Sequence, residues 1–333
     1  MPDPTALHLV MNVRGFSRLL IEESEMNSLK FVFMAFLGFF LAGCGTDRSE
    51  SSSPASIAYD SDIASQLSSP SKDLNAICPS GGCPPIGDLP GWRVIFLDDF
   101  AEAIDLGVWS GCLLEPMICS GLPHPYRVRW WAFLEGWNDN ASGIYSPSRT
   151  LSIRGGVLDI YLHSEGGVPL TAAPVPLIHE RTGPLGQLYG RYAVRFRADS
   201  LHGYKIAWLL WPDSETWPRD GEIDFPEGNL DMYIEAYLHH QDAAAASDQT
   251  GFFTGVRISG EWHTAVIEWE PDMVRFLLDG KLVGSVMERI PDTPMHWVLE
   301  ATTTLDGYEP ADDAEGHVQI DWVAVWEFKN RQD

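Results

Sequence analysis

Positive charge is scarce in this chain. Its 333 residues hold 22 Lys and Arg against 47 Asp and Glu, a formal net charge of −25. No cluster of Lys and Arg stands out along it. Binding to a phosphate backbone depends on such clusters, so nucleic acid is excluded as a partner. A heavily sulfated or carboxylated ligand is disfavoured too, unless a local basic pocket overrides the net field. The acidity otherwise reads as solubility. Long apolar runs are missing as well: the run 31–41 falls short of the ~20 residues that span a bilayer. No internal repeat of fixed period is present, and helical periodicity is scarce beyond residue 90. What fills the chain instead is short alternating runs separated by turn residues, with 13 Trp among an aromatic content of 11%. That pattern indicates an all-β sandwich or barrel.

The N-terminal region is a separate matter. Phe31 to Leu41 has the length of a signal-peptide core, and Lys30 precedes it. Leu41-Ala42-Gly43-Cys44 resembles the bacterial lipoprotein signal, in which the cysteine becomes the lipidated mature N-terminus. Residues 1–44 are therefore expected to be an export signal with lipidation at Cys44, and Met26 is the candidate start. The protein is expected in the bacterial cell envelope, held to a membrane by acyl chains. Residues 45–87, rich in Ser, Pro, Asp and Gly, read as a flexible tether, and 88–330 as the globular domain. The other four cysteines, Cys78, Cys83, Cys112 and Cys119, would lie in an oxidising compartment. The local pairs Cys78–Cys83 and Cys112–Cys119 are preferred; a zinc site is the alternative.

Several strands can be placed by parity. Residues 191–197 put Tyr192, Val194 and Phe196 on one face and Arg191, Arg195 and Arg197 on the other. Residues 204–211 are apolar on both faces, as in a central strand. Asp279-Gly280 separates two alternating runs and predicts a type I′ hairpin. Residues 317–327 put Val318, Ile320, Trp322, Ala324 and Trp326 on one face of a closing strand.

The chemistry concentrates in Gly221-Glu-Ile-Asp-Phe-Pro-Glu-Gly228. Strand side chains alternate, so Glu222 and Asp224 share a face, and Glu227 joins them only if one extra residue bulges the strand. Pro226 marks such a bulge, since proline within a sheet is confined to edges, strand starts and bulges. With the bulge, the Glu222 and Glu227 Cα atoms would lie roughly 13 Å apart. Their side chains, leaning together, would then bring the carboxyl groups to about 5–6 Å. Retaining glycosidases place a nucleophile and an acid/base about 5–5.5 Å apart. Asp224, between them, would hold Glu222 and relay a proton. Three like charges on one face force protons to be shared and pKa values apart.

The segment Trp217-Pro-Arg-Asp-Gly-Glu-Ile-Asp-Phe-Pro-Glu227 resembles the active-site strand of family 16 glycoside hydrolases, in the bulged subgroup that includes laminarinases. The likeness runs in order from about residue 90 to 328, through Val94–Phe100, Leu188–Phe196, Trp262–Trp269 with Val274–Gly280, and Asp321–Trp326. It implies a concanavalin A-like β-jelly-roll sandwich of two antiparallel sheets with a polysaccharide cleft on the concave one. It implies Glu222 as nucleophile, Glu227 as acid/base and Asp224 as assisting carboxylate. Trp217 and Arg219 occupy positions that contact sugar near the cleavage point. Pro226 stands where those enzymes carry Met or another apolar residue, and Gly228-Asn-Leu-Asp231 departs as well. Both departures bear on substrate more than on chemistry.

Around the trio, His239 is a candidate contact to substrate or to Glu227, and Trp208 and Trp297 are candidate sugar platforms on neighbouring strands. The expected activity is retaining, endo-acting cleavage of internal β-glycosidic bonds, with a β-1,3-type glucan favoured. A non-catalytic carbohydrate-binding lipoprotein and a transglycosylase are the alternatives on the same fold. No cofactor is required. A structural calcium could draw oxygen ligands from Asp98, Asp99 and Asp321. A monomer is expected.

Overall fold

The computed structural model describes residues 80–329 apart from 86, 180–184 and 259. Cys44, Cys78 and nearly all of the tether lie outside the described residues. In chain order the strands are β1 (Trp92–Asp98), β2 (Cys112–Leu113), β3 (Ile118–Cys119), β4 (Trp130–Ala132), β5 (Ile144–Tyr145), β6 (Leu151–Arg154), β7 (Val157–Glu165), β8 (Val168–Thr171), β9 (Pro174–Pro176) and β10 (Gly190–Ala198). There follow β11 (Tyr204–Pro212), β12 (Glu222–Asn229), β13 (Tyr233–His239), β14 (Gln249–Arg257), β15 (His263–Glu270), β16 (Met273–Leu278), β17 (Lys281–Val286), β18 (Met295–Thr303) and β19 (Gly316–Phe328).

They form a jelly-roll sandwich. Ten strands make one sheet, ordered β17-β16-β15-β10-β19-β7-β8-β5, with β1 joined to β19 and β6 to β7. Five make the other, ordered β14-β13-β12-β11-β18. Pairing is antiparallel except between β5 and β8. The apolar faces read from sequence meet between the sheets. Tyr192 and Phe196 of β10 pack edge-on against Trp297 of β18 and Trp208 of β11, with centroids 5.5 Å and 5.0 Å apart. Phe225 of β12 meets Phe276 of β16 at 5.6 Å. Burying a side chain such as Phe225 is worth about 1.5–3 kcal/mol. The Asp279-Gly280 turn has both φ angles positive, 51° and 74°, as a type I′ hairpin demands.

Two expectations change here. Trp208 and Trp297 are 0% and 1% exposed within this core, so they cannot be sugar platforms. Trp208 pairs with Leu299 across β18, and both residues face inward. The closing strand also departs from a single apolar face. Arg195 and Phe196 of β10 pair with Trp322 and Ile320, which leaves Asp321 as an extra residue in β19. Val318 and Ile320 therefore enter the main core. Trp322, Ala324 and Trp326 turn to the opposite face, where Trp92 covers them.

The β2–β3 ribbon is closed by the Cys112–Cys119 disulfide. Cys83 is also disulfide-bonded. Those three sulfurs are therefore not zinc thiolates. Two of the three acidic residues considered for calcium are engaged elsewhere. Asp98 accepts from the Phe100 amide at 3.0 Å and from the Trp130 indole at 2.8 Å, and Asp321 accepts from the Ser80 hydroxyl. Among the described residues, Asp98, Asp99 and Asp321 do not converge as a set of metal ligands.

Candidate active site

The site is a grid laid on the outer face of the five-stranded sheet. Asp224 and Glu227 pair with Tyr237 and Glu235 of β13, with two residues between them against one, so β12 carries one extra residue. The same step appears against β11, where Leu209 pairs with Asp224 and Ala207 with Glu227. Ile223 and Phe225 point into the core, at 0% and 1% exposure. The extra residue thus puts all three carboxylates on the face away from it. His239 pairs with Glu222, and Glu300 of β18 lies across Ala207 from Glu227.

Glu222 is fully buried and Asp224 nearly so. The Trp217 indole donates to Glu222 Oε2 at 2.7 Å. Its ring stacks on Trp211 (6.0 Å, 17°) and meets His239 edge-on at 5.7 Å. Among the described residues, no N–H or O–H outside the pair reaches Glu222 Oε1 or either oxygen of Asp224. Two adjacent carboxylates can hydrogen-bond to each other only when one of them carries a proton. Burial, and then the charges of Glu222 and Glu227, raise Asp224 well above the usual carboxylate range. Burial, and then the Glu227 charge, raise Glu222 to about 8, while hydrogen bonds from Trp217 and Asp224 pull it back. Asp224 is accordingly the firmer proton holder of the two, and its O–H turned toward Glu222 orients that group and favours its ionised form.

His239 lies beside the buried pair, not beside Glu227 as one expectation had it. Its Nε2 is 3.7 Å from both Glu222 and Asp224, because its register partner is Glu222. Its Nδ1 faces the Ala246 carbonyl at 3.0 Å, and a carbonyl only accepts, so Nδ1 carries the proton. Burial lowers the His239 pKa, against the pull of Glu227. A neutral Nε2 lone pair therefore points at the dyad. Glu222, Asp224 and His239 bring one donor atom each within 4.8 Å of one another, a set that could hold a cation. The same atoms are the ones acid–base chemistry uses.

Glu227 has a different environment. Lys205 Nζ donates to its Oε1 at 2.7 Å, and the two side chains are 10% and 15% exposed. Burial opposes the Lys205 charge, but Glu227, Glu300 and Asp224 outweigh it and leave the lysine pKa raised. Glu300 accepts from the Tyr145 hydroxyl, and burial raises it to about 7. One buried ammonium thus sits among several carboxylates. Removing either member of such a pair strands the other charge, which costs about 3–5 kcal/mol.

Arg219, named as a sugar contact, forks onto Asp220 at 2.6 Å and 3.0 Å while its side chain stays 61% exposed, and Ser214 also binds that aspartate. Sequence reasoning missed Lys205, Trp211, Glu300 and Tyr145. Lone charges inside apolar strands, Lys205 and Glu300, were the available signal, since buried charges require partners. Trp211 differs from Trp208 in strand parity, and only the pairing with β12 tells which of the two faces outward.

Comparison with known proteins gives a consistent picture. Residues 185–324 match the family model described as glycosyl hydrolases family 16. A β-glucanase of Rhodothermus marinus is 27% identical over 240 residues, covering 65% of this chain and 75% of that protein. A glucan endo-1,3-β-glucosidase of Cryptopygus antarcticus is 32% identical over 105 residues, 28% of this chain and 38% of that one. The crystal structure of the laminarinase from Rhodothermus marinus superposes with a TM-score of 0.56 at 22% identity. That match covers 72% of this chain and 98% of the laminarinase, a likeness of fold.

Proposed function

Because this chain belongs to glycosyl hydrolases family 16, we propose that it is a retaining, endo-acting β-glucanase whose preferred substrate is a β-1,3-linked glucan. The observation that carries the mechanism is the extra residue of β12, which sets Glu227 on the face of Glu222 and Asp224. Glu222, held by the Trp217 indole and the Asp224 proton, attacks the anomeric carbon. Glu227 delivers a proton to the leaving oxygen, and a glycosyl ester forms on Glu222. Glu227 then takes a proton from water, which attacks the same carbon and frees Glu222. Two inversions leave the configuration unchanged. The linkage preference is supported by the β-1,3-glucosidase relative and by the Trp217-Pro-Arg segment.

The test is release of reducing ends from a panel of β-1,3-glucan, mixed-linkage β-1,3(4)-glucan and galactan, with product anomers followed by NMR. A ladder of short products from the β-1,3-glucan, with the β-anomer appearing first, is the expected result. An α-anomer appearing first would remove the retaining mechanism. Silence on every polymer would remove the enzyme reading and favour a binding protein. Products longer than the substrate would identify a transglycosylase.

A lipid anchor at Cys44 is proposed from Leu41-Ala42-Gly43-Cys44 alone. In a bacterial host the full chain should fractionate with membranes, and Cys44→Ala should move it to the soluble fraction. If both fractionate alike, the anchor is wrong.

A further inference from the structure

Phe253 is 63% exposed and lies on the cleft face. It pairs with Glu235, which pairs in turn with Glu227, so one row of the grid runs Glu227, Glu235, Phe253 across β12, β13 and β14. At the spacing of neighbouring strands, Phe253 stands about 10 Å from the acid/base residue, Cα to Cα. Phe253 and Tyr233 together present a contiguous aromatic surface on this solvated edge, and such a patch rimmed by polar residues marks a ligand site. The flanking residues clear space around it. Gly251 and Gly255 lie two positions to either side, both exposed. A Cβ at Gly251 would approach the Tyr237 ring to 2.8 Å, and one at Gly255 would meet open space. Tyr233 packs edge-on against Phe253 at 4.9 Å, and Arg257 lies 4.7 Å over the Tyr233 ring.

Tyr233, on which Phe253 packs, also lines a pocket of ≈ 170 Å³ that reaches the acid/base residue, with Lys205, Glu227, Asn229, Glu235 and Asp306 in its lining. Alternating donors and acceptors beside one apolar plate fit a ligand with hydroxyls around its edge and C–H groups on its face, which describes a pyranose ring. Between the rows of Glu222 and Glu227 runs the row Asp224, Tyr237, Gly251, so a polysaccharide laid across the strands between the two glutamates passes toward β14 over Tyr237 and the bare Gly251. We propose that Phe253, buttressed by Tyr233, is a sugar-stacking subsite on the β14 side of the cleavage point, and that it ties activity to chain length. This rests on the glycanase reading above and extends it to a specificity residue.

The experiment compares wild type, Phe253→Ala and Phe253→Trp on the panel polymer that wild type cuts best and on its trisaccharide. For Phe253→Ala the ratio of kcat/KM on polymer to kcat/KM on trisaccharide should fall about tenfold, and Phe253→Trp should restore it. In parallel, Phe253→Ala in a Glu222→Gln background should weaken retardation in gels containing that polymer. An unchanged ratio with unchanged retardation overturns the subsite and leaves the glycanase reading standing. A wild type that cuts a polymer other than β-1,3-glucan corrects the substrate while the ratio still decides the subsite.

Discussion

Glu222→Gln is expected to lower kcat on the polymer by at least about 10⁴-fold, while polysaccharide still retards the protein in affinity gels. The amide keeps the shape of the carboxylate and its contact with Trp217 but cannot attack the anomeric carbon. Stability should move the opposite way. In the folded state burial raises Glu222 to about 8 from 4.5, so the native protein binds more protons than the unfolded chain between those values. Stability then falls as pH rises through that window. Removing the ionisable group removes that slope and relieves Asp224 of its nearest like charge. The melting temperature of the variant should exceed that of wild type by a margin that widens from about pH 4.5 to 8, roughly 2–4 °C for each kcal/mol relieved. Melting curves across pH, read with initial rates, check both halves. Turnover that survives the substitution would end the assignment of the nucleophile. A margin that narrows with pH would end the account of the dyad.

Glu227→Gln is the second large effect, a fall of about 10²–10⁴-fold on polymer. A sugar alkoxide is a poor leaving group and depends on the proton that Glu227 supplies. An aryl glycoside with an acidic phenol does not, so its first step should be spared and the glycosyl ester on Glu222 should accumulate. Azide needs no general base to attack that ester. Added azide should therefore restore turnover of the aryl substrate and give a β-glycosyl azide. The glutamine is preferred to alanine because Lys205 is buried against Glu227, and the amide oxygen still accepts from the lysine while Glu300 favours its charge. If azide gives no azide product, or gives the α-anomer, the roles of the two glutamates are wrong.

Both predictions rest on residues that could be named from local spacing. Glu222 and Asp224 share a face by strand parity, and Pro226 announced the extra residue that brings Glu227 beside them. The Asp279-Gly280 hairpin and the apolar face of Tyr192, Val194 and Phe196 were legible for the same reason, since each depends on neighbours within a few residues. The closing strand was not, because the bulge at Asp321 has no proline or glycine to signal it and is fixed by the pairing with β10. His239 was named from its own strand, but its place beside Glu222 and Asp224 follows from register with β12.

Local order along the chain thus determined the alternation, the turn and the carboxylate trio of this protein, because side-chain direction in a strand is a property of consecutive residues. Only the tertiary structure decided which face each indole takes, sending Trp208 between the sheets and Trp211 to the opposite face, buried under Trp217. It also decided that Lys205, Glu300 and Tyr145, far apart in sequence, gather around the acid/base residue. The reason is that register between strands is set by hydrogen-bonded pairing across long loops, and shifting that register by a single residue would exchange the two faces.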